Sequence, residues 1–318
     1  MVILFHFIIL IVALAFTSIA SNFVVKAALT VAKRLGWSQD LTGLTIISLG
    51  VKLPEIIIIF SGALKQFQGE EVTQLVMGNI VGSNMSQISL VMGLTGLFQT
   101  IKVKKSEVMS NGLMLIASSF LFFIFALNGT ISQLEGVILL LIYAVFVVTL
   151  KKTTCSNLPK TVAQKFSFKK NLRSIAKLMV GMIVIAISSN SIVNESALLA
   201  DLLNLNQLIV GLFVIGIGVS LPELIIAISA LKQGLSDLSV GSMLRGNIVV
   251  ILVGLGITSL LEGWSIPRNI ATFDLAYLLL TTVVVVLFLL TKKKLEKKES
   301  VLILALYGIF VVLKSLGF

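Results

Sequence analysis

The chain has 318 residues, 57% of them hydrophobic and 12% charged, with 25 Lys and Arg against 14 Asp and Glu. Soluble domains run at about 45–50% apolar and about 25% charged, so this composition excludes a soluble fold, which has no interior large enough to hide the excess. The net charge of +11 would suggest nucleic acid in a soluble protein, but the basic residues collect between apolar runs, which points to a lipid bilayer and to no nucleic-acid partner.

In chain order, apolar runs and polar breaks predict helices at roughly 2–31, 40–66, 73–98, 107–127, 132–151, 172–199, 206–232, 236–261, 270–292 and 300–317. A span needs about 20 residues to cross about 30 Å of hydrocarbon, so the expected fold is an all-α membrane protein of about ten transmembrane helices. The first run, Met1 to Ala20, lacks a basic leader and a clear cleavage signal, and reads as a span. The longest polar stretch, Lys151 to Arg173, is basic and contains Pro159. It divides the chain into a first five-helix repeat (1–151), a basic linker (152–171) and a second five-helix repeat (172–318). The single cysteine, Cys155, lies in that linker and the single histidine, His6, among apolar residues, so neither suggests a Cys/His metal site.

With the amino terminus outside, the odd-numbered loops carry 18 Lys and Arg and the even-numbered loops only Lys65 and Arg268. The positive-inside rule then places the odd loops in the cytoplasm and both termini outside a plasma or inner membrane. The same rule accounts for the linker's charge more simply than a lipid-binding role does. Of the remaining cations, Lys26, Lys177 and Lys314 lie close enough to helix ends to snorkel toward headgroups. Lys52 and Arg245 do not.

The two halves repeat. Gly50-Val51-Lys52-Leu53-Pro54-Glu55 matches Gly218-Val219-Ser220-Leu221-Pro222-Glu223 at an offset of 168, which also pairs Gly43 with Gly211 and Ser21-Asn22 with Ser189-Asn190. Beyond a longer connection in the first half the offset becomes 163, pairing Asn84 with Asn247 and Gly93 with Gly256. Five spans per half force matching helices to cross in opposite directions, the inverted repeat of secondary transporters, whose sites lie at the midplane between repeats.

Two of the four prolines, Pro54 and Pro222, occupy the same place in the two repeats. Inside a helix each frees a carbonyl one turn earlier for a ligand. A packing kink is the alternative for a lone proline, but these two stand beside glutamates. Glu55 and Glu223 each precede an apolar run, and an ionisable group inside the membrane costs about 2.5–3.5 kcal/mol and is by default functional. The competing reading is a structural ion pair, strongest for Glu55 because Lys52 is one turn away. Hard cations want oxygen ligands, about 6–8 for calcium, and two carboxylates with freed carbonyls begin such a set.

These motifs resemble the cation/calcium antiporter superfamily, in its prokaryotic sodium/calcium exchanger-like branch, whose repeats carry Gly-Thr-Ser-Leu-Pro-Glu and Gly-Asn-x-x-Gly-Ser-Asn. Here Gly78-Asn79-Ile80-Val81-Gly82-Ser83-Asn84 matches the latter fully and Gly241-Ser242-Met243-Leu244-Arg245-Gly246-Asn247 in part. The resemblance implies four central helices around the ion sites, with the first and sixth helices sliding over them. It implies ligands at Glu55, Glu223, Ser220, Ser83 and Gln87, flanked by Asn79, Asn84, Ser242 and Asn247. It also implies no cofactor, with calcium, sodium or protons as transported partners.

The departures from the family pattern are Val51-Lys52 and Val219-Ser220 for Thr-Ser, Gly246 for a site serine, Val250 for Asn or Asp, and Arg245 for a glycine. Several ligands are thereby lost and two cations gained. Lys52 is expected to pair with Glu55 and Arg245 to lie near Glu223, both in or beside former ion sites. Three outcomes stay open: transport of a monovalent ion or proton, transport of another ion, or loss of transport. If Lys52 turns away from the pocket, weak calcium exchange survives. An enzyme is disfavoured by the lack of a metal triad or nucleophile–base pair.

Overall fold

The apolar runs close into helices because backbone in hydrocarbon must satisfy its own N–H and C=O groups. The computed structural model describes residues 2–34, 50, 52–154, 168–232, 236–292 and 294–317. Cys155, most of the basic linker, Gly43 and Val51 lie outside the described residues.

Helix α1 is Val2–Arg34 and α2 is Leu53–Phe67. The rod α3 covers 73–98, as Thr73–Met85, a wider π-helical turn Ser86–Val91, and Met92–Phe98. Next come α4 (Lys105–Ala126), α5 (Gln133–Thr154) and α6 (Phe168–Leu202). The rod α7 covers 207–232 with a π-turn at Val210–Ile215, and α8 covers 236–259 with one at Val250–Leu255. Finally α9 covers 270–292, opening on the π-turn Ile270–Asp274, and α10 is Lys297–Ser315. Among the described residues, α1 and α4 to α9 are long and apolar enough to cross a membrane.

The rods α3 and α8 form the centre: every residue from Leu75 to Ser89 and from Met243 to Gly256 is buried. Helix α7 crosses α3 at a contact that only glycine permits. A Cβ on Gly78 would come 2.6 Å from the Leu208 carbonyl oxygen, and one on Gly216 2.7 Å from the Gly82 carbonyl carbon. Such small-residue contacts let backbones approach where lipid supplies no hydrophobic drive between helices. Helix α1 lies along α6, with Ala20, Val24 and Ile185 forming a core cluster separate from the main one. Its other face presents Leu4, Phe5, Ile8, Ile11 and Phe16 outward, a surface suited to lipid.

Two short antiparallel pairings tie the loops together. Ile101–Lys102 pairs with Lys294–Leu295, and Thr130–Ile131 with Trp264–Ser265. Each joins one loop from the first half of the chain to one from the second.

Lys314 corrects an expectation. It does not reach for headgroups; its Nζ lies 3.0 and 2.9 Å from the two carboxylate oxygens of Asp274 on α9, with both side chains buried and the ammonium 5.5 Å from the Phe273 ring centre. An acid one helix away outcompetes the interface, because a satisfied pair avoids leaving either charge alone in hydrocarbon. Asp274→Asn is therefore expected to cost about 3–5 kcal/mol, read as a lower unfolding temperature in detergent. Asp274→Leu with Lys314→Met should restore most of that loss.

Candidate functional site

The site begins at a break in the first repeat. Lys52 precedes α2 with φ −92° and ψ 0°, and Pro54 falls in the helix's first turn, whereas Pro222 lies inside α7. Pro54 thus starts a helix, a place proline tolerates, and is not interior as expected. The carbonyl one turn earlier, that of Gly50, accepts a hydrogen bond from the Ser21 hydroxyl of α1 at 2.8 Å. The backbone group expected to be open to a ligand is therefore taken by a side chain of the neighbouring helix.

The break delivers Lys52 between the two glutamates. Its Nζ lies 2.7 Å from Glu223 Oε1 on α7, and 3.1 and 2.9 Å from Glu55 Oε1 and Oε2 on α2. The Gln87 amide nitrogen, in the π-turn of α3, donates to Glu55 Oε1 at 2.9 Å. Lys52 is 1% exposed, Glu55 2% and Glu223 10% by side chain. With all three ionised, the cluster carries one net negative charge. At an effective dielectric constant of about 20, charges 4 Å apart interact by about 4 kcal/mol, so each carboxylate is held strongly by the shared ammonium.

The lysine's place is set by a missing side chain. A Cβ on Gly246 of α8 would overlap Lys52 Cε, and would lie 3.5 Å from its Cδ and Cγ. The glycine that stands where the family carries a site serine is the slot through which the lysine stem passes.

The carboxylates reach a small crevice of about 30 Å³, lined by Ser18, Ser21 and Asn22 of α1, by Pro54 and Glu55, and by Val219, Pro222, Glu223 and Ile226 of α7. Lys52 does not line it. Both acids border it, and α1 forms the facing wall.

The other candidate residues divide. Ser83 and Ser220 are buried, their hydroxyls donating to Ile80 and Gly216 carbonyls of their own helices at 3.3 and 2.8 Å. The Asn247 amide nitrogen donates to the Asn84 carbonyl at 3.4 Å across α3 and α8, and Asn84 donates to Ile80. Both side-chain atoms of Asn79, Oδ1 of Asn84 and Asn247, and Oε1 of Gln87 are buried without a protein hydrogen-bond partner. Ser242 is half-buried. Val250 opens the π-turn of α8 and adds only an apolar side chain.

Arg245 is not beside Glu223. Its Nη1 pairs with Glu107 Oε1 of α4 at 3.0 Å, in space left by Gly241. A helix turns by about 100° per residue, so Arg245 faces α4 while its neighbour Gly246 faces Lys52. Sequence reasoning missed three acids that pair across helices: Glu107, Asp274 and Glu195, the last 2.7 Å from His6 Nδ1. Asp274, an acid at the head of an apolar run, was findable by the rule that flags intramembrane charges.

The family model described as "Sodium/calcium exchanger protein" matches residues 5–152 and 173–316. Sodium/calcium exchanger MaX1 of Methanosarcina acetivorans is 26% identical over 349 aligned positions, covering 96% of this chain and 97% of that protein. Inner membrane protein YrbG of Escherichia coli is 28% identical, covering 79% and 78%. Among solved structures, the sodium-calcium exchanger NCX_Mj superposes with a TM-score of 0.65 at 21% identity, covering 98% of this chain and 99% of that one. An H+/Ca2+ exchanger CAX superposes with a TM-score of 0.75 at 16% identity, covering 94% and 82%. With both helical halves matched and the fold shared, the chain belongs to the sodium/calcium exchanger protein family.

Proposed function

We propose that the protein is a secondary cation antiporter working by alternating access, with Glu55 and Glu223 as the carboxylates that hold the transported cation. One observation carries the reading: acids from the two halves converge on a single nitrogen, 2.7 to 3.1 Å away, on the wall of a shared crevice. Ten spans in two inverted halves, 1–151 and 172–318, complete the architecture.

The inverted repeat is supported by contacts between equivalent positions. Asn84 and Asn247, related by the 163-residue offset, touch each other, as residues on a pseudo-twofold axis do. The loop pairings exchange in the same way, and π-turns open at Ser86 in the first half and Val250 in the second. Each pairing joins two loops that the charge count assigns to the same side of the membrane, as expected of helices that all span it. Ser83, Ser220, Gln87 and the unpartnered asparagine oxygens supply oxygen around the acids, and water or an ion there would satisfy them.

The test is uptake of radioactive sodium and calcium into proteoliposomes against an opposing sodium, calcium or proton gradient. Wild type is expected to exchange at least one of these cations, and Glu223→Gln to reduce that exchange to the level of protein-free liposomes. No exchange by wild type, or exchange unchanged in Glu223→Gln, overturns the reading. A second reading, a non-transporting family member whose lysine permanently replaces the ion, is favoured by the burial of Lys52 and predicts the former result.

A further inference from the structure

Resting on the antiporter reading, the geometry points to Lys52 as a tethered cation that sets the valence of the transported ion. The site accepts one singly charged cation, of the sodium class, and rejects calcium for as long as that lysine is present.

Three observations converge. The first is charge: when ionised, Glu55 and Glu223 bring two negative charges to one point, and the Lys52 ammonium between them offsets one in place. What remains matches one monovalent ion. A calcium ion would have to sit beside a fixed ammonium, and like charges at that range repel strongly.

The second is fixation. The lysine cannot withdraw to make room, since its stem lies in the slot over Gly246, is 1% exposed, and does not line the crevice. It stands behind the acids, on the side away from the entering ion. Glu223, the most exposed of the three, is the group the ion meets at the crevice.

The third is the count of oxygens. Calcium takes about 6–8 oxygen ligands. Lys52 already engages both Glu55 oxygens and one Glu223 oxygen, and Gln87 spends its amide N–H on Glu55. From the second half, Gly246 and Val250 offer no side-chain oxygen. The oxygens that remain, the second Glu223 oxygen and the neutral oxygens of Gln87, Ser83, Ser220 and the buried asparagines, include one carboxylate oxygen free of the ammonium, which suits a singly charged ion. The exchange of serine for glycine at 246 and the arrival of lysine at 52 thus read as one paired change in this chain.

The experiment uses the full-length protein, purified in detergent and in proteoliposomes, with sodium chloride and calcium chloride as probes and choline chloride holding ionic strength constant. In wild type, sodium is expected to raise the unfolding temperature and to be taken up, while calcium does neither. Lys52→Ser and Lys52→Met, the second keeping the stem's volume, are each expected to gain calcium binding by about tenfold or more, a change worth about 1.4 kcal/mol. Calcium stabilising wild type as strongly as these variants overturns the assignment, and so does a folded pair of variants that binds no calcium. Should neither variant fold, Glu223→Gln decides: its site has no net charge, and sodium stabilisation persisting in it overturns the assignment. Sodium and calcium binding that follow the expected pattern without flux in any protein would leave the valence assignment standing and sink the antiporter reading.

Discussion

Glu55→Ala is expected to lower the stability of the protein by about 3–5 kcal/mol, the cost of removing one partner from a buried ion pair. The reason lies in what the substitution strands. Lys52 keeps only Glu223, which is the more exposed of the two acids, and the Gln87 amide loses its acceptor. The ammonium cannot swing out to water, because Gly246 and its helix enclose the stem. Thermal unfolding in detergent should show a large drop for Glu55→Ala. The double variant Lys52→Met with Glu55→Leu should recover most of it, because replacing a whole buried pair by apolar groups is often neutral. Equal losses in the single and double variants would mean that the carboxylate acts by packing and that the pair is incidental.

The second large effect is steric. Gly82→Ala is expected to cost about 3 kcal/mol or more, at or beyond the upper end of ordinary overpacking. Its new Cβ would lie 2.6 Å from Leu212 Cα and 2.7 Å from the Leu212 carbonyl carbon, and backbone on both sides has nowhere to retreat. The α3–α7 crossing sets how far Gln87 stands from Glu223, so the variant should lose cation response along with stability. Gly308→Ala in α10 is the matched control: a Cβ there meets nothing within 4 Å. Helix propensity favours that alanine by up to about 1 kcal/mol, so a stability equal to or slightly above wild type is expected. A similar loss in both variants would remove the close crossing as the explanation.

The two effects act on different links of the same chain. The glycine contacts decide where the helices cross, and the crossing decides whether acids from distant segments share one cation. Ser21 adds a third element, since its bond to the Gly50 carbonyl connects α1 to the break that presents Lys52. Sliding of α1 and α6 over the central helices, which the family resemblance implies, would change the crevice wall and this bond together.

Much of this was legible from residues alone. Apolar runs of spanning length determined the membrane class, because hydrocarbon leaves a chain few ways to satisfy its backbone, and the doubled Leu-Pro-Glu announced two acids of matched rank. Three residues of separation allowed Lys52 to pair with Glu55 but left its orientation open. What the sequence did not carry was direction across helices. Gly246 read as a lost ligand, yet it is the groove for the lysine stem. Arg245 read as a neighbour of Glu223, but a rotation of one residue turns it to Glu107. Lys314 read as an interfacial residue, and Asp274 on the adjacent helix holds it inside. Spacing along a chain determines which side chains share a helix face. Which face of one helix meets which face of another depends on packing at glycine-sized contacts, and only the folded arrangement decides that.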